Sequence, residues 1–249
     1  SEIEVEHADE ISVEFAYVDY QAHEHFGVRG GMLLIPMGLV NEFHEPTVFL
    51  GAERPVTETR IIPSTWRENG GGIYGSIDRV TFRAYVVNGF NGSRFSSNGV
   101  RSGRQKGGKA KASNMAFTGR IDVTPTPGVF VGASLYTGGS GQGDIVVDGR
   151  EIDVRTTIVD LHGQAQIRGF DIRGLVARAS LDDAAALNHA LGLAGASPST
   201  DLPGRDWSSL VRGGGGQTDR TIAYSSSWFH GADVAAVWTR EHQCQRDYG

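Results

Sequence analysis

Lysine is nearly absent from this chain. Only Lys106, Lys109 and Lys111 occur in 249 residues, and all three fall in one stretch. A single cysteine, Cys244, can form neither an internal disulfide nor a thiolate metal cluster. No apolar run reaches the ~18 residues that a membrane-crossing helix needs. A spanning β-strand needs only ~10 residues with alternate positions apolar, so that route stays open. The first residue is serine and no leader-like stretch follows it, so the expectation is a processed, trimmed or partial chain. Carboxylates are missing between Asp78 and Asp122, while residues 79–121 hold nine basic side chains. Residues 1–78 carry 14 acids against four basic residues. The net charge of −6 thus conceals a strongly basic block in an acidic chain.

What is abundant is glycine, 35 residues, together with period-two alternation. Ile11 to Val18, Phe26 to Leu34, Ile73 to Ile77, Val80 to Val87, Met115 to Asp122, Val129 to Tyr136, Ile152 toward Ile167, and Ile172 to Ala179 each read as a strand. Residues 2–7 are a candidate ninth, and 221–238 could hold one or two more. The connections alternate. Those near Glu24, Asp78, Pro127 and Gly169 are short; those over 36–72, 88–114, 137–151 and beyond Ser180 are long. That rhythm fits an antiparallel outer-membrane β-barrel with turns on one rim and loops on the other. A soluble β-sandwich with long loops is the alternative fold. Residues 1–194 are expected to form barrel strands and loops, and 195–249 a poorly patterned tail or further strands. Ser180 and Asp183 suggest a capped helix running to Leu193.

No catalytic constellation stands out. Gly70 to Gly75 fits G-x-G-x-x-G only formally, because a strand follows it where a helix is required. It reads instead as a loop re-entering the sheet, and Gly138 to Gly143 as a loop tip. His23 and His25 flank Glu24 in a turn and His44 lies between two glutamates, but no third metal ligand is identifiable. No cofactor, no metal and no enzymatic activity are expected.

Three stretches carry a family resemblance: EFAYVDYQAHEHFGVRGGMLLIPMGLVNEFHEP, ERPVTETRIIPSTWRENGGGIYG and TFRAYVVNGFNG. With Gly30, Gly31, Pro36, Met37 and Gly38 in a Gly-bearing strand and the turn after it, Phe15 to Ala179 resembles bacterial outer-membrane porins of the group that includes the phosphate-selective porins. The resemblance implies a water-filled barrel, trimeric or monomeric, in the bacterial outer membrane. Its partners would be outer-membrane lipid, lipopolysaccharide and small polar or anionic solutes, with no nucleic acid. Porins need ~16 strands, so these residues would supply part of the barrel.

On that basis the apolar set Val80, Phe82, Ala84 and Val86 should face lipid. Arg83, Arg120, Asp122, Asp153 and Arg155 should face the lumen. Arg94, Arg101, Arg104, Lys106, Lys109 and Lys111 are candidate anion-binding groups. Glu42, Glu53, Arg54, Arg60 and Arg67 are candidates for a constriction loop that folds inward, with an ordinary surface loop as the competing reading. The competing functions are a soluble β-sandwich that binds a glycan or protein, and a structural or adhesive barrel without a pore.

Overall fold

The computed structural model describes residues 2–6, 10–43, 54–96, 99–182, 220–229, 232–238 and 243–244, with side-chain surroundings over 13–43, 54–96 and 99–182. The fold is all-β and dominated by one large antiparallel sheet of twelve strands. In chain order the strands are β1 (Glu2–Glu6), β2 (Glu10–His23), β3 (Phe26–Leu34), β4 (Arg67–Ile77), β5 (Val80–Asn88), β6 (Met115–Thr126) and β7 (Val129–Gly139). A small separate hairpin, β8 (Val146–Val147) and β9 (Arg150–Glu151), comes next. The sheet resumes with β10 (Arg155–Ile167), β11 (Phe170–Leu181), β12 (Arg220–Phe229), β13 (Ala232–Trp238) and β14 (Gln243–Cys244). Each sheet strand lies beside its neighbour in the chain, with β7 next to β10. Helical structure among the described residues is one turn, α1 (Thr57–Arg60), and three short 3-10 segments.

Two-residue turns at 24–25, 78–79, 127–128 and 168–169 lie at one end of the sheet, and the long connections at the other. Arg168 and Gly169 both have positive φ, the conformation that matches a two-residue turn to the twist of its strands.

Three sequence expectations need correction. Gly70, Gly71 and Gly72 belong to β4 and not to a loop. Their glycines serve close approach: a Cβ on Gly72 would lie 2.1 Å from the Ala84 carbonyl oxygen and 2.8 Å from the Tyr85 Cα. Gly138 and Gly139 likewise finish β7. Ser180 caps no helix; it pairs with Thr157 and Thr221 inside the sheet, and residues 183–193 lie outside the described residues.

The two faces of the sheet differ in chemistry. On β5, Val86 is 50% exposed and Val87 is fully buried. Val87 belongs to the covered face, where Leu33, Tyr85, Tyr136, Ile158, Leu175, Ala177 and Ala179 form a core with residues of the long connections. Ile35, Met37, Ile61, Ile62 and Trp66 come from the 35–66 connection, and Phe90 and Val100 from the 89–114 connection. Trp66 stacks on Phe90 with centroids 4.5 Å apart, and Tyr136 packs against both rings. The open face carries Val18, Val28, Ile73, Phe117, Ile121, Val131, Leu161 and Val176, all exposed.

Placing a methyl group on Gly72 should therefore disrupt the β4–β5 ladder. Gly72→Ala is expected to cost ~1–3 kcal/mol in denaturant unfolding. Gly174→Ala, which would meet nothing within 4 Å, should be neutral or slightly stabilising.

Candidate functional site

Strand register assembles a charged cluster at mid-sheet on the covered face. One row runs Arg83, Arg120, Ser134, Asp160 across β5, β6, β7 and β10. The next row toward the turns runs Thr81, Asp122, Gly132, His162. Two arginines directly opposite each other repel, so the arrangement needs anions around it. Asp122 accepts from Arg120 Nε at 2.7 Å and Nη2 at 3.0 Å, and lies 3.6 Å from Arg83 Nη1. Glu42, from the 35–66 connection, reaches both guanidiniums, at 3.3 Å and 3.7 Å.

His162 closes the cluster. Its Nε2 lies 2.8 Å from Asp122 Oδ1 and its Nδ1 2.5 Å from Asp160 Oδ1. A ring that donates from both nitrogens, the imidazolium form, answers both carboxylates. The cluster then balances Glu42, Asp122 and Asp160 against Arg83, Arg120 and His162. Gly132 leaves the room for this contact, since a Cβ there would lie 2.2 Å from Asp122 Oδ1 and 2.6 Å from His162 Nε2.

The same groups hold the inward connection. Gly38 donates its N–H to Asp160 Oδ2 at 3.2 Å, and its carbonyl accepts from Arg120 Nη1 at 2.5 Å. Glu58 Oε1 accepts from the Leu39 and Val40 amides at 2.5 and 2.7 Å. Asn41 donates to the carbonyls of Ile35 and Trp66 and accepts from the Trp66 amide. Burial pushes the Glu58 carboxyl up to about 7, against the pull of those two amides.

Toward the turns the covered face stays polar. Arg29 is bidentate to Asp19 at 2.6 and 2.8 Å and lies over the rings of Tyr17 and Tyr74. Arg173 Nη2 lies 2.9 Å from Asp171 Oδ2, and Gln164 also donates to Asp171.

The structure thus brings Glu42, Arg83, Arg120 and Asp122 together. It separates the other expected residues. Asp153 precedes β10 and accepts from the Gly141 amide. Arg155 is exposed on the open-face side of β10, opposite to the expected lumen position. The reason is that Val154, Thr156 and Ile158, the apolar-reading set, are buried under the loops. The basic stretch forms no single ring of charge. Arg101 donates to the Ser64 carbonyl, and Arg104 to Ser64 and Thr65. Burial lowers both, Arg104 to about 9. Lys111 is paired with Asp144, while Arg94, Lys106 and Lys109 are exposed. Arg67 is buried 3.7 Å from Glu14; Arg54 and Arg60 are half-buried; Glu53 and His44 lie outside the described residues. His162, Asp160 and Arg29 escaped the sequence reading, although Asp160, His162 and Gln164 form a polar period-two set opposite Val159 and Leu161.

No family model matches the chain, and no solved structure matches it. An uncharacterized protein of Aquifex aeolicus (strain VF5) is 44% identical over 195 residues, 74% of this chain and 44% of that protein. The chain therefore spans less than half the length of the curated relative it matches.

The raised Glu58 carboxyl sets a pH dependence. The folded state holds this proton above the usual carboxyl range, so the contribution to stability is present below pH 4.5 and is lost as pH rises through about 7. Amide exchange at residues 38–43, corrected for intrinsic rate, should show less protection at pH 8 than at pH 5. Glu58→Gln should flatten that dependence.

Proposed function

We propose that this chain is part of an outer-membrane β-barrel that acts as a porin-like channel for passive diffusion of small polar solutes. One observation carries the reading: the open face is an apolar band across every strand from β2 to β11 of the sheet. Val18 is 76% exposed and Leu161 66%. Soluble monomers rarely leave more than a few hundred Å² of contiguous apolar surface uncovered. In a bilayer such a face is solvated by lipid, while polar groups line the other side. Tyr20, Phe26 and Phe170 are exposed near the turns, where an aromatic girdle would meet the membrane interface.

The antiparallel meander with short turns at one end supports the same reading, and a sheet in lipid must close to satisfy its edges. β1 and β14 stand at the two ends of the strand order. Further strands from a longer protein would complete the barrel, in keeping with the length of the Aquifex relative. The 35–66 connection is then the constriction, with Glu42, Arg83, Arg120 and Asp122 at its narrowest level. This set is charge-balanced and the lysines lie at the loop end, so pore width governs selection more than charge. The resemblance to the phosphate-selective porin group points to the same class of channel, and a trimer is one assembly it implies.

The protein should partition into detergent, migrate heat-modifiably on gels and give conductance steps in planar bilayers. Leu161→Arg should destabilise it in lipid by ~2–4 kcal/mol, whereas Thr81→Arg on the polar face should cost little. A water-soluble monomer that tolerates Leu161→Arg would refute the channel reading.

A further inference from the structure

The segment that holds every lysine, residues 106–111, lies at the loop end of the open face. Asn69 donates to the Gly107 carbonyl at 2.9 Å, and Asn88 to the Lys111 carbonyl at 2.9 Å. Asn69 is opposite Met32, Met32 is opposite Ala16, and Asn88 is opposite Met115, all in register with the open-face set. Gly107 sits directly on Met32: a Cβ there would lie 2.5 Å from the Met32 sulfur. Gln105 closes the loop on itself, accepting from the Lys111 amide at 2.8 Å and donating to the carbonyls of Lys111 and Gly89.

Between this loop and the strands lies an open groove of about 710 Å³. Val13, Ala16 and Met32 form its apolar wall, and Arg67, Asn69 and Lys106 its polar rim. Arg67 Nε is buried and has no hydrogen-bond partner among the described residues. The apolar wall continues along β2, β3 and β4 into exposed Val18, Val28 and Ile73. Exposed Lys109 adds to the positive field, which Glu14, 3.7 Å from Arg67 Nη1, offsets only in part.

We propose that this groove binds a phosphate-bearing lipid, the phosphate at Lys106 and Arg67 and an acyl chain along Met32 and Ala16 toward Val18. The proposal rests on the membrane reading above, since the loop end of the open face would then lie at headgroup level. Basic side chains there attract anionic lipid. Their stems pack on the apolar surface while the charge reaches the phosphate.

Native mass spectrometry of the detergent-solubilised protein with dioctanoyl phosphatidic acid and dioctanoyl phosphatidylcholine tests the site. One phosphatidic acid should be retained at least tenfold more tightly than phosphatidylcholine. Lys106→Gln with Lys109→Gln should weaken it by about tenfold or more, and equimolar inorganic phosphate should not displace it. Equal retention of the two lipids, no effect of the double substitution, or displacement by inorganic phosphate would each overturn the site. A detergent-requiring, heat-modifiable protein with no lipid preference refutes the site alone; a water-soluble monomer refutes the membrane reading.

Discussion

Arg120 is 9% exposed at its side chain and faces the half-buried Arg83 in register, and the folded chain has to answer that pair of cations. The acceptors come from three places: the Asp122 carboxylate on the same strand, the Glu42 carboxylate from the inward connection, and the neutral Gly38 carbonyl from the turn that begins it. Removing one partner of a buried ion pair leaves a desolvated charge, which costs far more than an exposed pair is worth. The 35–66 connection is therefore held by electrostatics at its first turn and by apolar packing of Ile61, Ile62 and Trp66 beyond it. His162 ties the network to β10 and so couples three strands and one loop through contacts under 4 Å.

This arrangement divides the covered face into two zones. Near the long connections it is a dry core of aromatic and aliphatic side chains; at mid-sheet and toward the turns it is charged. The open face is apolar from mid-sheet to the turns and carries polar groups, Asn69, Asn88 and Arg155, only toward the long connections. A sheet with one charged face and one exposed apolar face inverts the layout of a half-buried soluble sheet, which turns its polar face to water and packs its apolar face inside. Lipid on the apolar side and water on the charged side would satisfy both at once.

Much of the fold was legible because strand alternation is local. Val80 to Val87 assigns its own faces, and the turns at Asp78 and Gly169 announce themselves through residue type. Errors arose where a second interaction overrode the local signal. Gly70 to Gly72 read as a breaker, but the missing side chains make room for the backbone of β5. The start of β10 read with inverted faces because loops, and not a wet lumen, cover Ile158. Ser180 resembled a cap because its neighbours are good helix formers, yet pairing to β10 and β12 prevails. The cluster itself joins residues as far apart as Gly38 and Asp160, and no local pattern reports such a contact.

The central claim is that lipid covers the open face. A nitroxide scan from Thr157 to Gly163 of β10, in reconstituted bilayers, tests it most directly. Collisional access to oxygen should peak at 157, 159 and 161 and fall at 158, 160 and 162, with a water-soluble nickel complex failing to reach 159 and 161. High nickel access at Leu161, equal to that of an aqueous loop site, would contradict the account.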